Sequence, residues 1–116
     1  MADAVYELTD EQKQELSSIF GKGVNFKKTE RHYYNHDVGA LPSLVKKMLG
    51  KTEPAAIVKV TSEEKAIELM KFARRYGIPL VPRAGASSGY GGIIPTKGGI
   101  IADVTPMRKI INIDKE

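Results

Sequence analysis

Residues 53 to 104 constrain the fold most tightly, because two short β-branched runs flank a helix whose two ends are both marked. The run Ala55-Ala56-Ile57-Val58-Lys59-Val60 has the apolar, β-branched character of a strand, and Thr61-Ser62 closes it with residues suited to cap a helix. Glu63 and Glu64 complement the positive start of that helix. Arg74 and Arg75 complement its negative end, and Gly77 stands where a left-handed cap is expected. Ala66, Ile67, Met70 and Ala73 are read as its core-facing stripe. Ile78 to Val81 then reads as a second strand, Ile100 to Val104 as a third, and Ile110 to Ile113 as a fourth. A strand-helix-strand succession predicts parallel pairing, with Ile57 and Val81 on neighbouring strands.

The first fifty residues read as a helical lead-in. Thr9 followed by Gln12 is a capping box: the hydroxyl accepts from an early amide while the Gln side chain reaches back. It opens a helix from Asp10 to Phe20, with Leu16, Ile19 and Phe20 along one stripe and Gly21 and Gly23 as its stop. Val24 to Lys27 suggests a short strand. A second helix runs from Leu41 to Leu49, with Pro42 tolerated in its first turn and Gly50 at its end. The fold class is therefore α/β (α+β), a small parallel βαβ-based sheet flanked by helices. Residues 1–50 are assigned to the lead-in and 51–116 to the sheet-forming unit.

Composition narrows the function. A chain of 116 residues has room for one compact domain, and 41% hydrophobic with 28% charged residues is the balance of a soluble globular one. The polar, acidic N-terminal stretch is unlike a targeting peptide, and no apolar run could span a bilayer, so the expectation is a cytoplasmic protein without a transmembrane segment. The absence of cysteine removes disulfides, thiolate metal sites and a Cys nucleophile within this stretch. His32 and His36 are spaced for one helix face, but their neighbours Tyr33, Tyr34 and Asn35 argue against a helix, and no metal site is assigned. The net charge of +4 is spread over separate pairs, Lys27-Lys28, Lys46-Lys47 and Arg74-Arg75, interleaved with acids, so no nucleic-acid partner is expected.

The chemistry concentrates in the loop after the second strand, Arg83-Ala84-Gly85-Ala86-Ser87-Ser88-Gly89-Tyr90-Gly91-Gly92. Small side chains let a phosphate approach the backbone, successive N–H groups can turn inward as an anion-binding nest, and Ser87 and Ser88 add hydroxyl donors. The loop matches neither the GxGxxG dinucleotide fingerprint nor a P-loop. On composition alone, a glycine-rich turn that only reverses the chain is the competing reading.

Order and spacing along the chain shift the balance between these readings. Ser62-Glu63-Glu64, Gly77-Ile78-Pro79-Leu80-Val81-Pro82-Arg83, the small-residue loop, Gly98-Gly99-Ile100-Ile101-Ala102-Asp103, and Met107 with Ile110 to Asp114 follow one another as in a known pattern. The stretch from Pro54 to Asp114 resembles the PCMH-type (vanillyl-alcohol oxidase-like) FAD-binding domain. Tyr34-Asn35-His36-Asp37 is also similar to the Y-x-x-D that precedes this domain in glycolate oxidase and D-lactate dehydrogenase-like members.

The resemblance implies the first lobe of a two-lobed FAD-binding domain, in an FAD-linked oxidoreductase acting on a 2-hydroxy acid such as D-lactate or glycolate. It implies that the backbone from Ala84 through Gly85, Ala86 and Ser87 to Ser88 holds the FAD pyrophosphate. Gly91 and Gly92 would lie near the ligand, and Pro82 would shape the approach. Arg83 either offsets ligand charge or serves as a structural ion-pair partner. No catalytic residue is assigned, because the resemblance implies that a second lobe and a cap domain, or a partner subunit, supply the rest of the site; the chain alone is expected to bind FAD weakly and to lack turnover. The rival function is a non-catalytic phosphate-binding module that docks onto a partner protein. Ala84 and Ala86 stand where many members have Gly, Val60 where Pro is common, and Lys65 where an apolar residue is usual. Alanine is costly at positive φ, so Gly85 is expected to take any such position in the triplet. No histidine lies in the loop to tether the flavin, which implies noncovalent FAD.

Overall fold

The computed structural model describes residues 5–35, 39 and 42–116. Helix α1 spans Asp10–Phe20, and the Thr9–Gln12 capping box forms with both of its bonds. A 3-10 turn at Gly21–Gly23 leads into β1, Val24–Asn25, which is shorter than the expected strand. Helix α2 spans Lys28–Tyr33 and α3 spans Ser43–Leu49. Strand β2 is Ala56–Lys59, α4 is Glu63–Tyr76, β3 is Leu80–Arg83 and β4 is Ile100–Asp103. His32 thus lies on a helix despite its neighbours, and its Nδ1 stands 3.5 Å from a Glu53 carboxylate oxygen. His36 and Asp37 lie outside the described residues.

The sheet order is β1-β2-β4-β3, with β1 antiparallel to β2 and the other two pairings parallel. Parallel pairing is as expected, but Ile57 and Val81 are not on neighbouring strands. Strand β4 lies between them, with Ile101 opposite both. Pro82 gives the physical reason. A proline donates no ladder hydrogen bond and is confined to sheet edges, so β3 takes an edge while the fully buried Ile100-Ile101-Ala102-Asp103 takes the interior. Strand β3 also starts two residues later than expected. The Ile78 N–H bonds back to the Ala73 carbonyl, completing the α4 cap around the left-handed Gly77. The strand expected at Ile110–Ile113 does not form. Those isoleucines are 73%, 91% and 68% exposed and lie in no strand.

One face of the sheet, carrying Ala56, Val58, Ile100 and Ala102, joins Leu16 of α1 and Leu69, Phe72 and Ala73 of α4 in the core. Burying a side chain the size of Leu16 or Phe72 contributes about 1.5–3 kcal/mol. The α4 stripe is therefore rotated from its expected register: Ile67 and Met70 are exposed, and the large Phe72 ring takes the inward position. Glu15 of α1 accepts from Arg75 and Tyr76 of α4, which ties the two helices together at the surface. The opposite sheet face carries Ile57 and Ile101, both buried, and the row Lys59, Asp103 and Arg83 in register across three strands. The Arg31 Nε of α2 donates to the Pro54 carbonyl at 2.6 Å. Among the described residues, no helix is long and apolar enough to cross a membrane.

Candidate functional site

All three parallel strands end in one cross-strand row, Lys59, Asp103 and Arg83. Open α/β sheets bind ligands in the crevice outside such carboxyl ends. The loop predicted to carry the chemistry leaves from this edge, immediately after Arg83. It forms bends and turns and faces solvent: Ala84, Gly85, Ser87, Ser88 and Gly92 are exposed, Ala86 and Gly91 half-buried, and Tyr90 is 97% exposed. A Cβ built on Gly85 or Gly92 would meet nothing within 4 Å. The backbone is thus bare on its outer side, as a pyrophosphate cradle requires.

One expectation about this loop is overturned. Ala86, and not Gly85, has the positive φ, at 55°. The left-handed region costs an alanine about 1–2 kcal/mol, a modest strain of the kind that functional loops retain. Gly85 is not in the left-handed region, and a side chain there would find open space.

The Arg83 side chain turns into the sheet face and is only 8% exposed as a residue. Its guanidinium carbon lies 4.9 Å from the centroid of the Tyr34 ring, and Nη1 donates to the Tyr34 carbonyl at 3.5 Å. The Tyr34 hydroxyl donates to Asp103 Oδ2 at 2.7 Å. Asp103 Oδ1 accepts from the Thr105 hydroxyl at 2.7 Å and the Thr105 amide at 3.0 Å. Burial alone would push the Asp103 carboxyl up. The Thr105 bonds, the Tyr34 bond and the Lys59 charge outweigh it, so the carboxyl is held below its ordinary value. The Tyr34 phenol is pushed up, first by burial and then by its bond to Asp103.

Further along the loop, Gly39 approaches Gly89. A Cβ on Gly39 would lie 2.7 Å from the Gly89 carbonyl carbon and 2.9 Å from its Cα. A separate cavity of about 140 Å³ lies among Lys22, Asn25, Glu30, Tyr34, Ile57 and Lys59. It is smaller than the roughly 300 Å³ at which ligand pockets begin, so the open loop is the better candidate. Among the described residues, no group of three or more His, Asp or Glu is placed to hold a metal ion. Sequence reasoning brought out Pro82 to Gly92 and noted Tyr34 only as the start of the Y-x-x-D similarity, without assigning it a contact, and it passed over Gly39 and Thr105. A carboxylate closing a run of three apolar strand residues was the signal for the Asp103 cluster.

The family described as FAD binding domain matches residues 54–116, more than half of the chain. The chain belongs to this FAD-binding family. FAD is the cofactor that the family binds, and the bare loop at the strand ends suits its pyrophosphate. A D-lactate dehydrogenase of Anaerostipes hadrus is 33% identical over 67 residues, which are 58% of this chain and 14% of that protein. An uncharacterized FAD-linked oxidoreductase of Escherichia coli strain K12 is 39% identical over 64 residues, 54% of this chain and 13% of that one. The match therefore spans about one seventh of these curated relatives' length. Among solved structures, an alkyldihydroxyacetonephosphate synthase superposes with a TM-score of 0.76 at 25% identity, covering 97% of this chain and 23% of that chain. p-Cresol methylhydroxylase with substrate bound superposes at 0.72 and 24% identity, covering 96% and 22%, and shares the fold. The superposition takes in the lead-in as well as the sheet.

Proposed function

We propose that this chain is the first lobe of a two-lobed FAD-binding domain in an FAD-linked oxidoreductase of 2-hydroxy acids such as D-lactate or glycolate. The Arg83–Gly92 loop holds the pyrophosphate of noncovalent FAD. The carrying observation is the bare, small-residue loop at the carboxyl ends of three parallel strands. The similarity to a D-lactate dehydrogenase supports the substrate class. FAD, when bound, supplies the hydride acceptor. The chain's own task is to bind and orient. Backbone amides from Ala84 to Ser88 and the Ser87 and Ser88 hydroxyls are the donors for the pyrophosphate, and Gly91 and Gly92 keep the backbone open beside it. A second lobe and a substrate domain, in the same chain or a partner subunit, complete the site and supply the base that takes the substrate proton.

Gly85→Val tests the loop in the full-length protein, followed by FAD titration and by lactate or glycolate oxidation with a dye acceptor. The branched side chain would occupy the open space against which the pyrophosphate packs. FAD affinity should fall about tenfold or more, the equivalent of about 1.4 kcal/mol. Lys46→Ala on the exposed face of α3 should leave it unchanged. Unaltered FAD binding by a folded Gly85→Val protein would move the flavin site away from this loop. Binding of phosphate ligands without a flavin spectrum would favour the non-catalytic module.

A further inference from the structure

The lead-in chain touches the loop at its root, Arg83, and again at Gly89. At the root, the Tyr34 ring and carbonyl engage the Arg83 guanidinium, and Tyr34 is itself held by Asp103 from the central strand. Six residues further along the loop, Gly39 packs against the Gly89 backbone, with no room for a Cβ. The loop between these points is exposed and largely without regular structure, and Ala86 within it is held at positive φ. A strained, solvated loop keeps one conformation only if something outside it fixes its ends. The sheet fixes one end from below, through the bond from the Val104 amide to the Arg83 carbonyl. Tyr34 and Gly39 supply the rest from above. Neither residue lies in the loop.

We infer that Tyr34 and Gly39 form a brace that pre-orders the phosphate loop, making Tyr34 a positioning residue that acts through Arg83. Pre-ordering matters because a loop immobilised only on binding gives up affinity to its own ordering. The inference rests on the assignment of the loop to the FAD pyrophosphate, and the experiment separates the two. Buried Asp103 helps to set the brace: its carboxylate is occupied by Tyr34 and Thr105, which leaves the Tyr34 ring fixed over Arg83.

FAD affinity is measured on the full-length protein by flavin fluorescence for Tyr34→Leu, Gly39→Ala, Arg83→Lys and the Tyr34→Leu/Arg83→Lys double variant. Gly85→Val serves as the loop control. Gly77→Ala serves as the stability control, since Gly77 has positive φ in open space at the opposite end of β3. Tyr34→Leu and Gly39→Ala should each weaken FAD about tenfold, while Gly77→Ala lowers the unfolding midpoint and leaves affinity intact. In the Arg83→Lys background, the effect of Tyr34→Leu should shrink about fivefold or more, because contacting residues that act in series are not additive. Normal FAD affinity in folded Tyr34→Leu and Gly39→Ala proteins, with Gly85→Val impaired, overturns the brace alone. Strict additivity of Tyr34→Leu and Arg83→Lys also overturns it. Normal affinity in Gly85→Val overturns the loop assignment itself.

Discussion

The Tyr34 hydroxyl reaches across 69 residues of sequence to donate to Asp103 Oδ2 at 2.7 Å, linking the chain just after α2 to the central strand of the sheet. Asp103 is 3% exposed, so water offers its carboxylate little replacement for a lost partner. Tyr34→Phe should cost about 1–3 kcal/mol in urea unfolding, the usual penalty for leaving a buried group one bond short. Asp103→Ala should cost more, about 3 kcal/mol or above, because the Tyr34 hydroxyl and both Thr105 donors lose their acceptor at once. Equal stability of Tyr34→Phe and the parent would mean that the hydroxyl is as well solvated in the unfolded chain as it is bonded in the folded one.

The same carboxylate gives folding an acid dependence whose sign is determined. The folded Asp103 carboxyl titrates below its ordinary value, so the unfolded chain takes up the proton first as the pH falls. Its contribution is complete above the unfolded value near 3.9 and is lost as the pH drops through the folded value. Asp103→Asn cannot titrate. The stability gap between parent and Asp103→Asn should be constant from about pH 7 to about pH 5 and close progressively below about pH 4. Urea midpoints across that range provide the check, and a gap that widens in acid would reverse the assigned shift.

Gly99 and Gly77 both have positive φ, yet they should respond differently to substitution. Gly99, at φ 76°, sits at the head of β4. Its carbonyl accepts from Ala55, and the Ile100 amide donates to the Pro79 carbonyl. A Cβ there would lie 2.9 Å from both the carbonyl carbon and the Cβ of Pro79, and closer still to its carbonyl oxygen. Gly99→Ala combines backbone strain with a clash against a paired strand and should cost about 3 kcal/mol or more. Gly77→Ala meets nothing within 4 Å and should cost only about 1 kcal/mol. Thermal or urea unfolding of the two variants side by side tests the difference, and comparable losses would show that φ alone controls both sites.

The elements with strong local chemistry were legible in the sequence. Thr9 and Gln12 formed their capping box, Ser62 capped α4 through the Lys65 amide, and Gly77 closed that helix in the left-handed region. Such signals depend on neighbours within a turn or two. The interior place of β4 was harder to see, because strand order depends on contacts distant in sequence, although Pro82 already pointed to an edge for β3. The α4 stripe was misplaced because Ile67 and Met70 are apolar but periodicity does not say which apolar row faces inward; Leu69 and Phe72 won that place. The loop's position was legible from Pro82-Arg83 onward, but its backbone was not. Composition favoured Gly85 for positive φ, whereas the fold imposes it on Ala86. Tyr34 was marked only by the Y-x-x-D similarity, which does not say what it touches, and the contact of Gly39 left no local trace.

Lys65 stands where the resemblance implies an apolar residue, and its surroundings suit a lysine. It lies early in α4, and its Nζ donates to the Ile19 carbonyl at 2.9 Å, near the end of α1. The last turn of α1 contains no basic residue of its own, so Lys65 supplies the positive charge that a helix C-terminus favours. The ammonium also lies 5.7 Å from the centroid of the Phe20 ring and 3.2 Å from Glu68. The Glu68 pair is half-exposed and adds little. Lys65→Met keeps most of the apolar stem and removes only the charged head. It should cost about 1 kcal/mol, and hydrogen exchange should accelerate first at the C-terminal amides of α1. Lys65→Arg, which retains a cation within reach, should recover part of the loss. If Lys65→Met proves as stable as the parent, with α1 equally protected, the Ile19 bond adds nothing beyond what water provides, and the residue is a tolerated surface substitution.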